Sequence, residues 1–390
     1  MRIAYIGDFI NYGTSLQTTG TSLVILFSLI GDVDLIDIYC PAQNAKTEEF
    51  VLPNNVKIRN YYEYNNPILI LKLLKIHWNA YDTVIFNLLP TGFGKSSLTN
   101  LTALLVPLLV SKGLRKKNIK IIYHNSVYTN DIRALGYNTK SDKIKGYLLG
   151  VVERSLFKNI PTYVMLKMYK DKIDKAIGKN KVTYLNARYL EAISTVYMNG
   201  KISHEIIKGR TFHEVPTILM HGYWGPQKNL KLVLSTLRKL KEKGINFKLI
   251  ISGGINDHFP NFKNEFISII ELYNDIIDSY LGYINEMDIM QTFLKADLLV
   301  LPYNTPGGHS GVMEQAIFFE IPTIAINFPE YMEQSRKEDN IILVSSANIE
   351  RGILLLLNMV NRMGDIQCLK KIITCKNNIS TLLDSFDKVQ

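Results

Sequence analysis

Cysteine is scarce in this chain of 390 residues. Cys40, Cys368 and Cys375 are the only three, and no pair stands at metal-ligand spacing. That scarcity sets aside a disulfide framework and a cysteine-built metal site, and it fits a reducing compartment. Long apolar runs are missing too. The uncharged stretch at residues 96–111 contains Asn100 and Pro107 and falls short of the ~18–20 apolar residues that a bilayer-spanning helix needs. Met1 leads directly into a strand pattern that Asp8 interrupts, which is not the pattern of a cleavable signal sequence. Acidic residues are in the minority: 45 Lys and Arg against 35 Asp and Glu leave a net charge of +10. Such a balance suits an anionic partner, whether a nucleotide, a phospholipid surface or a nucleic acid. No recognised nucleic-acid module or base-stacking motif is present, which excludes the last. The expected location is cytoplasmic, with the inner membrane face as a peripheral site.

What is present is ordinary for a globular protein, with 47% hydrophobic and 21% charged residues. The length is natural for two domains. Strand signals alternate with helical ones throughout. In the first half they predict strands at 2–8, 34–40, 56–61, 83–88, 120–125, 162–166 and 181–186. In the second half they predict strands at 217–222, 247–252, 280–284, 298–303, 323–327 and 341–345. Between 222 and 247 an amphipathic helix places Leu230, Val233, Leu234, Leu237 and Leu240 on one face. Residues 198–216, polar and basic with Gly200 and Gly209, read as a linker, and 377–390 read as a terminal helix. The alternation predicts an α/β fold of two doubly wound, Rossmann-like domains, 1–210 and 211–390, with parallel sheets covered on both faces. Ligands of such sheets bind beyond the carboxyl ends of the strands, which predicts a cleft between the domains.

The most telling stretch is 296–327, ADLLVLPYNTPGGHSGVMEQAIFFEIPTIAIN. A buried strand leads into a turn of Pro306, Gly307, Gly308, His309, Ser310 and Gly311, then a helix, then a second strand opened by Pro322. Adjacent glycines allow close approach of the backbone to a ligand, and the unpaired amides of the first helical turn suit a phosphate or diphosphate. A plain tight connection is the competing reading. Other motifs carry less. Residues 91–96 (TGFGKS) resemble a phosphate-binding P-loop, but Leu89 stands where that motif needs glycine. Asp32 and Asp34 have the spacing of a metal-binding pair, yet they flank a turn, where aspartates are commonplace.

Taken with HGYWGPQKNL and YLGYINEMDIMQTFLKADLLVLPY, this stretch resembles, in order and spacing, the nucleotide-sugar domain of the family 4 (group 1) glycosyltransferases. The resemblance implies the two-domain GT-B architecture and transfer of a sugar with retention of anomeric configuration, with no cofactor and no metal. It covers most of 217–346, and the first half only loosely. Gly222 and Lys228 keep the family's glycine–lysine spacing, although Tyr223 replaces the usual arginine. By the resemblance, Lys228 lies on the donor diphosphate, Gly253 approaches the donor, and Gly282 and Tyr283 pass the nucleobase. Asp297 has a structural place. Gly307, Gly308, His309, Ser310 and Gly311 form the donor turn. The family's two glutamates are eight positions apart; anchoring on Pro322 puts Gln315 at the second and Gly307 at the first, while a shift by one uses Glu314. Either way the first carboxylate is missing.

In the first half, Ile121, Ile122, Tyr123, His124 and Asn125 resemble the family's strand that ends in a catalytic histidine, and Gly13 resembles its glycine near donor and acceptor. The expected activity is transfer from a nucleotide-diphosphate sugar to a saccharide or lipid-linked acceptor. A non-catalytic nucleotide- or glycan-binding subunit is the alternative. Residues 67–78 and 101–120 interleave apolar and basic side chains, a pattern that fits either an anionic membrane interface or core helices with lysines on their outer edge.

Overall fold

The computed structural model describes residues 1–7, 17–41, 52–113, 118–129, 139–178, 180–185, 207, 210–256, 259, 261–284, 286–305, 308–335 and 340–363. The chain divides into two compact units, Met1–Asn199 with Gly307–His309, and Gly200–Pro306 with Ser310–Gln390. Gly13, Gly307, Arg115, Lys116, Lys117, Cys368, Cys375, most of the expected linker and the expected terminal helix lie outside the described residues.

The first unit carries a seven-stranded parallel sheet in the order β3-β2-β1-β4-β5-β6-β7. Its strands are β1 (Arg2–Ile6), β2 (Leu35–Pro41), β3 (Val56–Tyr62), β4 (Thr83–Leu88), β5 (Ile119–Tyr123), β6 (Thr162–Val164) and β7 (Val182–Tyr184). β4 is buried at every position, as a central parallel strand covered on both faces must be. Helix α1 (Gln17–Ser28) belongs to a core built on Ile3, Tyr5 and Ile38. On the other face α2 (Pro67–Ile70), α3 (Ser97–Lys112), α4 (Lys140–Asn159) and α5 (Lys167–Ile177) enclose a second core around Ala4, Ile6, Phe86 and Ile121.

The second unit is a six-stranded parallel sheet ordered β10-β9-β8-β11-β12-β13. It comprises β8 (Thr217–His221), β9 (Lys248–Ser252), β10 (Ser279–Tyr280), β11 (Leu298–Leu301), β12 (Thr323–Ile326) and β13 (Ile341–Val344). Its helices are α6 (Leu230–Glu242), α7 (Phe262–Leu272), α8 (Glu286–Leu294), α9 (Gly311–Phe318), α10 (Pro329–Gln334) and α11 (Ile349–Met363). The five apolar residues expected on one face of α6 are all buried. The expected strand at 280–284 is cut to two residues because Gly282 turns to φ +56, outside the extended region.

Two motifs resolve as structure. The P-loop-like turn spends its amides on its own scaffold: Lys95 N and Ser96 N donate to Asn65 Oδ1 (2.8 and 3.0 Å), and Phe93 N donates to Asn100 Oδ1 (3.0 Å). Asp297, fully buried before β11, accepts from Thr217 N at 2.7 Å and lies 2.8 Å from His213 Nδ1, which ties the starts of β8 and β11 together. In the two apolar–basic stretches, Ile70, Leu73, Ile76, Trp78, Ala103, Leu104, Val106 and Val110 are core, whereas Ile68, Leu71, Leu105 and Leu109 face solvent.

Candidate donor site and its chemistry

The carboxyl ends of three neighbouring strands in the second unit close on glycine. Gly222 follows β8 at φ +149, Gly253 follows β9 at φ +108, and Gly282 follows β10 at φ +56. Gly222 N donates to Ser252 O (3.2 Å) and Gly253 N donates to Gly282 O (2.5 Å). A Cβ on Gly253 would lie 1.9 Å from Gly222 O, so only glycine lets the loops approach this closely. The result is a floor of bare backbone. Beside it, a Cβ on Gly254 would touch Tyr283 and Tyr223 at 3.6 and 3.7 Å. Tyr283 is more than half exposed and therefore not core.

Lys228 folds back over this floor from a 3-10 turn, Pro226–Lys228. Its Nζ lies 3.7 Å from the centre of the Tyr303 ring, a cation–π contact. A Cβ on Gly222 would come within 2.9 Å of the same Nζ. Asn304 N donates to Gln227 O at 2.7 Å, tying the lysine turn to the segment that leads from β11 towards α9. Lys228 is partly exposed, yet the protein packed around its ammonium pushes its pKa down to about 7. Burial and the nearby Lys228 charge hold His221 at about 3; its Nδ1 lies 2.8 Å from Ser252 Oγ. The positive charge of this corner therefore rests on Lys228. Among the described residues it has no carboxylate partner, and a desolvated cation without one favours an anionic ligand.

The turn before α9 is built to match. Ser310 caps the helix, accepting from Met313 N at 3.2 Å. Gln334 grips Ser310 from α10: its Oε1 accepts from Ser310 N (3.0 Å) and its Nε2 donates to Ser310 O (3.2 Å) and to Glu314 Oε1 (3.3 Å). The helix start keeps the amide-rich, partly positive character that suits phosphate. Gly308 has φ +115, and His309 is half-buried. Gly311 is exposed at the helix start and Glu314 partly so, whereas Gln315 is buried. Of the two residues that the sequence offers as the remaining glutamate equivalent, Glu314 reaches the surface of the first turn.

In the first unit, His124 follows β5 and is buried. Its Nε2 lies 2.8 Å from Asn87 Oδ1; with that oxygen accepting, Nε2 carries the proton and Nδ1 is left as an acceptor. Burial lowers the His124 pKa to about 3, so the ring is neutral near pH 7 and its Nδ1 can accept a hydrogen bond. The loop after it hangs on Glu153 of α4, which takes Tyr123 Oη at 2.8 Å, Ser126 Oγ at 2.5 Å and Val127 N at 3.1 Å. Burial raises the Glu153 pKa to about 7. Between the unfolded value near 4.5 and about 7, the folded state binds the extra proton, so this group's contribution to stability falls as pH rises through that window. Glu153→Gln should therefore flatten the pH dependence of the thermal midpoint between pH 5 and 8; an unchanged slope would show that Glu153 does not titrate there.

Residues 201–361 match the family model described as glycosyl transferases group 1. The second unit is a group 1 glycosyltransferase domain. Among solved structures, sucrose-phosphate synthase from Thermosynechococcus elongatus superposes with a TM-score of 0.62 at 11% identity, over 100% of this chain and 98% of that one. WaaG, described as a glycosyltransferase involved in lipopolysaccharide biosynthesis, gives 0.61 at 11% identity, over 99% of each chain. Alr3699/HepE of Anabaena, solved in complex with UDP, gives 0.56 at 13% identity, over 100% and 99%. No curated protein sequence matches the chain. The likeness fixes the GT-B fold of two parallel α/β sheets, and the family match rests on residues 201–361 of the second unit.

Within the second unit the structure brings Gly222, Lys228, Gly253 and Gly282 to one edge of the sheet, with Tyr283 beside them. Sequence reasoning missed Tyr303, which carries the lysine, and Gln334, which carries the donor turn. Tyr303 reads as the end of a buried strand, and Gln334 lies in a short helix with no motif of its own. Asn87 was missed too, within a strand that is otherwise apolar but for Thr83. Glu153 had a signal: a carboxylate among Leu149, Val152, Leu156 and Phe157 on the core side of a helix.

Proposed function

We propose that the protein transfers a sugar from a nucleotide-diphosphate sugar, with retention of anomeric configuration, to a saccharide or lipid-linked acceptor bound by the first unit. The observation that carries this reading is the Lys228 ammonium over the glycine floor of the second sheet, with no carboxylate partner among the described residues. A leaving nucleoside diphosphate gains negative charge as the glycosidic bond breaks, and a fixed cation beside it stabilises that transition state. The first-turn amides of α9 would hold the same diphosphate, and Tyr283 and Tyr223 flank the space for the base. The complexes of HepE with UDP and with UDP-glucose support this class of donor. Screening nucleoside-diphosphate sugars for an upward shift in thermal midpoint identifies the donor, and proton NMR of the transferred sugar then reads the anomer. An inverted product would overturn the stereochemical assignment. Because Lys228 supplies the charge, chelating divalent metals should leave donor binding unchanged; loss of binding on chelation would contradict that role.

His124 is assigned to the transfer step as hydrogen-bond acceptor for a substrate hydroxyl. His124→Ala should lower turnover with nucleotide affinity nearly intact, and the pH profile of turnover should show no step near 6.5 from this residue, whose pKa lies at about 3. Equal turnover in both proteins would remove His124 from the mechanism. One observation favours a second reading, a non-catalytic nucleotide- or glycan-binding subunit: Tyr223 and Gly307 occupy positions where the resembling family carries arginine and glutamate. Donor binding without transfer, across a broad panel of acceptors, would select it.

A further inference from the structure

Helix α4 has two apolar faces, and only one of them is covered. Leu156 and Phe157 are buried, with Leu149 and Val152 packed beside them against the first sheet. Ile144, Tyr147, Leu148 and Val151 recur at helical spacing on the opposite side and are 63%, 74%, 48% and 52% exposed. Such a stripe on a helix otherwise anchored in a core is not accounted for by folding.

The same face carries charge of one sign. Stepping along it by three or four residues, Lys140 and Lys143 precede the stripe and Arg154 and Lys158 follow it, all exposed. The two acidic residues of α4 point elsewhere. Glu153 is buried, and Asp142 is engaged by Thr139 in the capping box, with Oδ2 accepting from Thr139 N at 3.0 Å. The neighbouring α3 repeats the pattern, with Leu98, Leu105 and Leu109 exposed and Lys112 at its end.

We propose that this face of α4 docks on an anionic lipid bilayer, the apolar stripe entering the headgroup boundary and Lys140, Lys143, Arg154 and Lys158 meeting the lipid phosphates. Apolar anchors flanked by cations along one helical face are the recognition chemistry of such a surface. A second copy of the chain is disfavoured as occupant, because two such faces would bring like charges together. The proposal goes beyond the transfer reading and is independent of it. It also moves the membrane face from residues 67–78, whose apolar side chains are mostly core, to α4. Tyr128 Oη donates to Gly150 O at 2.9 Å, and Glu153 holds the loop after His124, so the docked helix would carry that loop with it.

The test is flotation of the full chain with phosphatidylglycerol-containing vesicles and with pure phosphatidylcholine vesicles. Two variants are compared, Ile144, Tyr147, Leu148 and Val151→Ser, and Lys140, Lys143, Arg154 and Lys158→Gln. All eight positions are exposed, so both variants should keep the wild-type thermal midpoint and nucleoside-diphosphate binding, which separates failure of docking from failure of the donor site. Wild type should float with the anionic vesicles at low salt, and each variant should lose about tenfold or more of that binding. Raising salt to about 1 M, where the screening length shrinks to about 3 Å, should release the wild type. Absence of wild-type flotation at low salt would overturn the proposal, as would equal binding to neutral vesicles. A dimer in solution that the serine variant dissolves would assign the face to a second copy instead.

Discussion

Lys228→Ala should weaken nucleoside-diphosphate binding by about 1.5–3 kcal/mol, the range for hydrogen bonds to charged groups, or roughly 10- to 150-fold in Kd. Among the described residues no carboxylate neutralises this ammonium. Its desolvation is therefore compensated only by the Tyr303 ring, 3.7 Å away, until an anion arrives. The same geometry makes binding depend on pH. In the ligand-free protein Lys228 sits at about 7, and a neighbouring diphosphate favours the charged form, so its pKa rises on binding. Between pH 7 and 9 the complex therefore takes up a proton, and affinity should fall as pH rises, approaching tenfold per pH unit while the bound lysine stays charged. Lys228→Ala should lack that slope. Isothermal titration at several pH values measures both effects, and wild-type-like affinity in the alanine variant would remove Lys228 from the site.

Gly253→Ala should be the most destabilising single substitution at the donor floor, by about 3 kcal/mol or more. Two independent costs combine. At φ +108 an L side chain is strained, and the new Cβ would sit 1.9 Å from Gly222 O and 2.7 Å from Gly222 C. Those are backbone atoms of the adjoining strand end, so no rotamer change relieves the clash. Gly282→Ala is the control. Its φ is +56, and its Cβ would meet nothing within 4 Å, so the cost should stay near the ~1–2 kcal/mol of the left-handed region. Thermal unfolding of the three proteins side by side checks this ranking; equal midpoints for Gly253→Ala and wild type would mean that the strand ends are not held this closely.

The parallel sheets were legible because their central strands are short apolar runs bounded by polar turns, as at Thr83–Leu88 and Leu298–Leu301. Periodicity placed α6 as well, with its one apolar stripe. It could not orient α4, where two apolar stripes compete and only packing decides which one turns inward. At the site, the resemblance to the family's glycine–lysine signature singled out Gly222 and Lys228 together. It gave no sign that Tyr303 completes their corner, because that contact joins strand ends far apart in sequence. Nor could one sequence choose between Glu314 and Gln315: they are adjacent in the chain, and their difference is one of direction around α9, where Gln315 turns inward and Glu314 meets Gln334. His124 was readable as the end of a buried strand, but its partner Asn87 comes from the neighbouring strand and carries no motif. Its Nδ2, buried with no partner among the described residues, becomes visible only once the sheet is assembled.

The central claim is that the second unit grips a nucleoside diphosphate through Lys228 and the start of α9. A crystal structure of the full chain soaked with UDP tests it most directly. The account predicts diphosphate oxygens within hydrogen-bond distance of Lys228 Nζ and of the amides at Gly311 and Val312, with the base beside Gly282 and Tyr283. Diphosphate bound elsewhere in the chain, with Lys228 still resting on Tyr303, would contradict it.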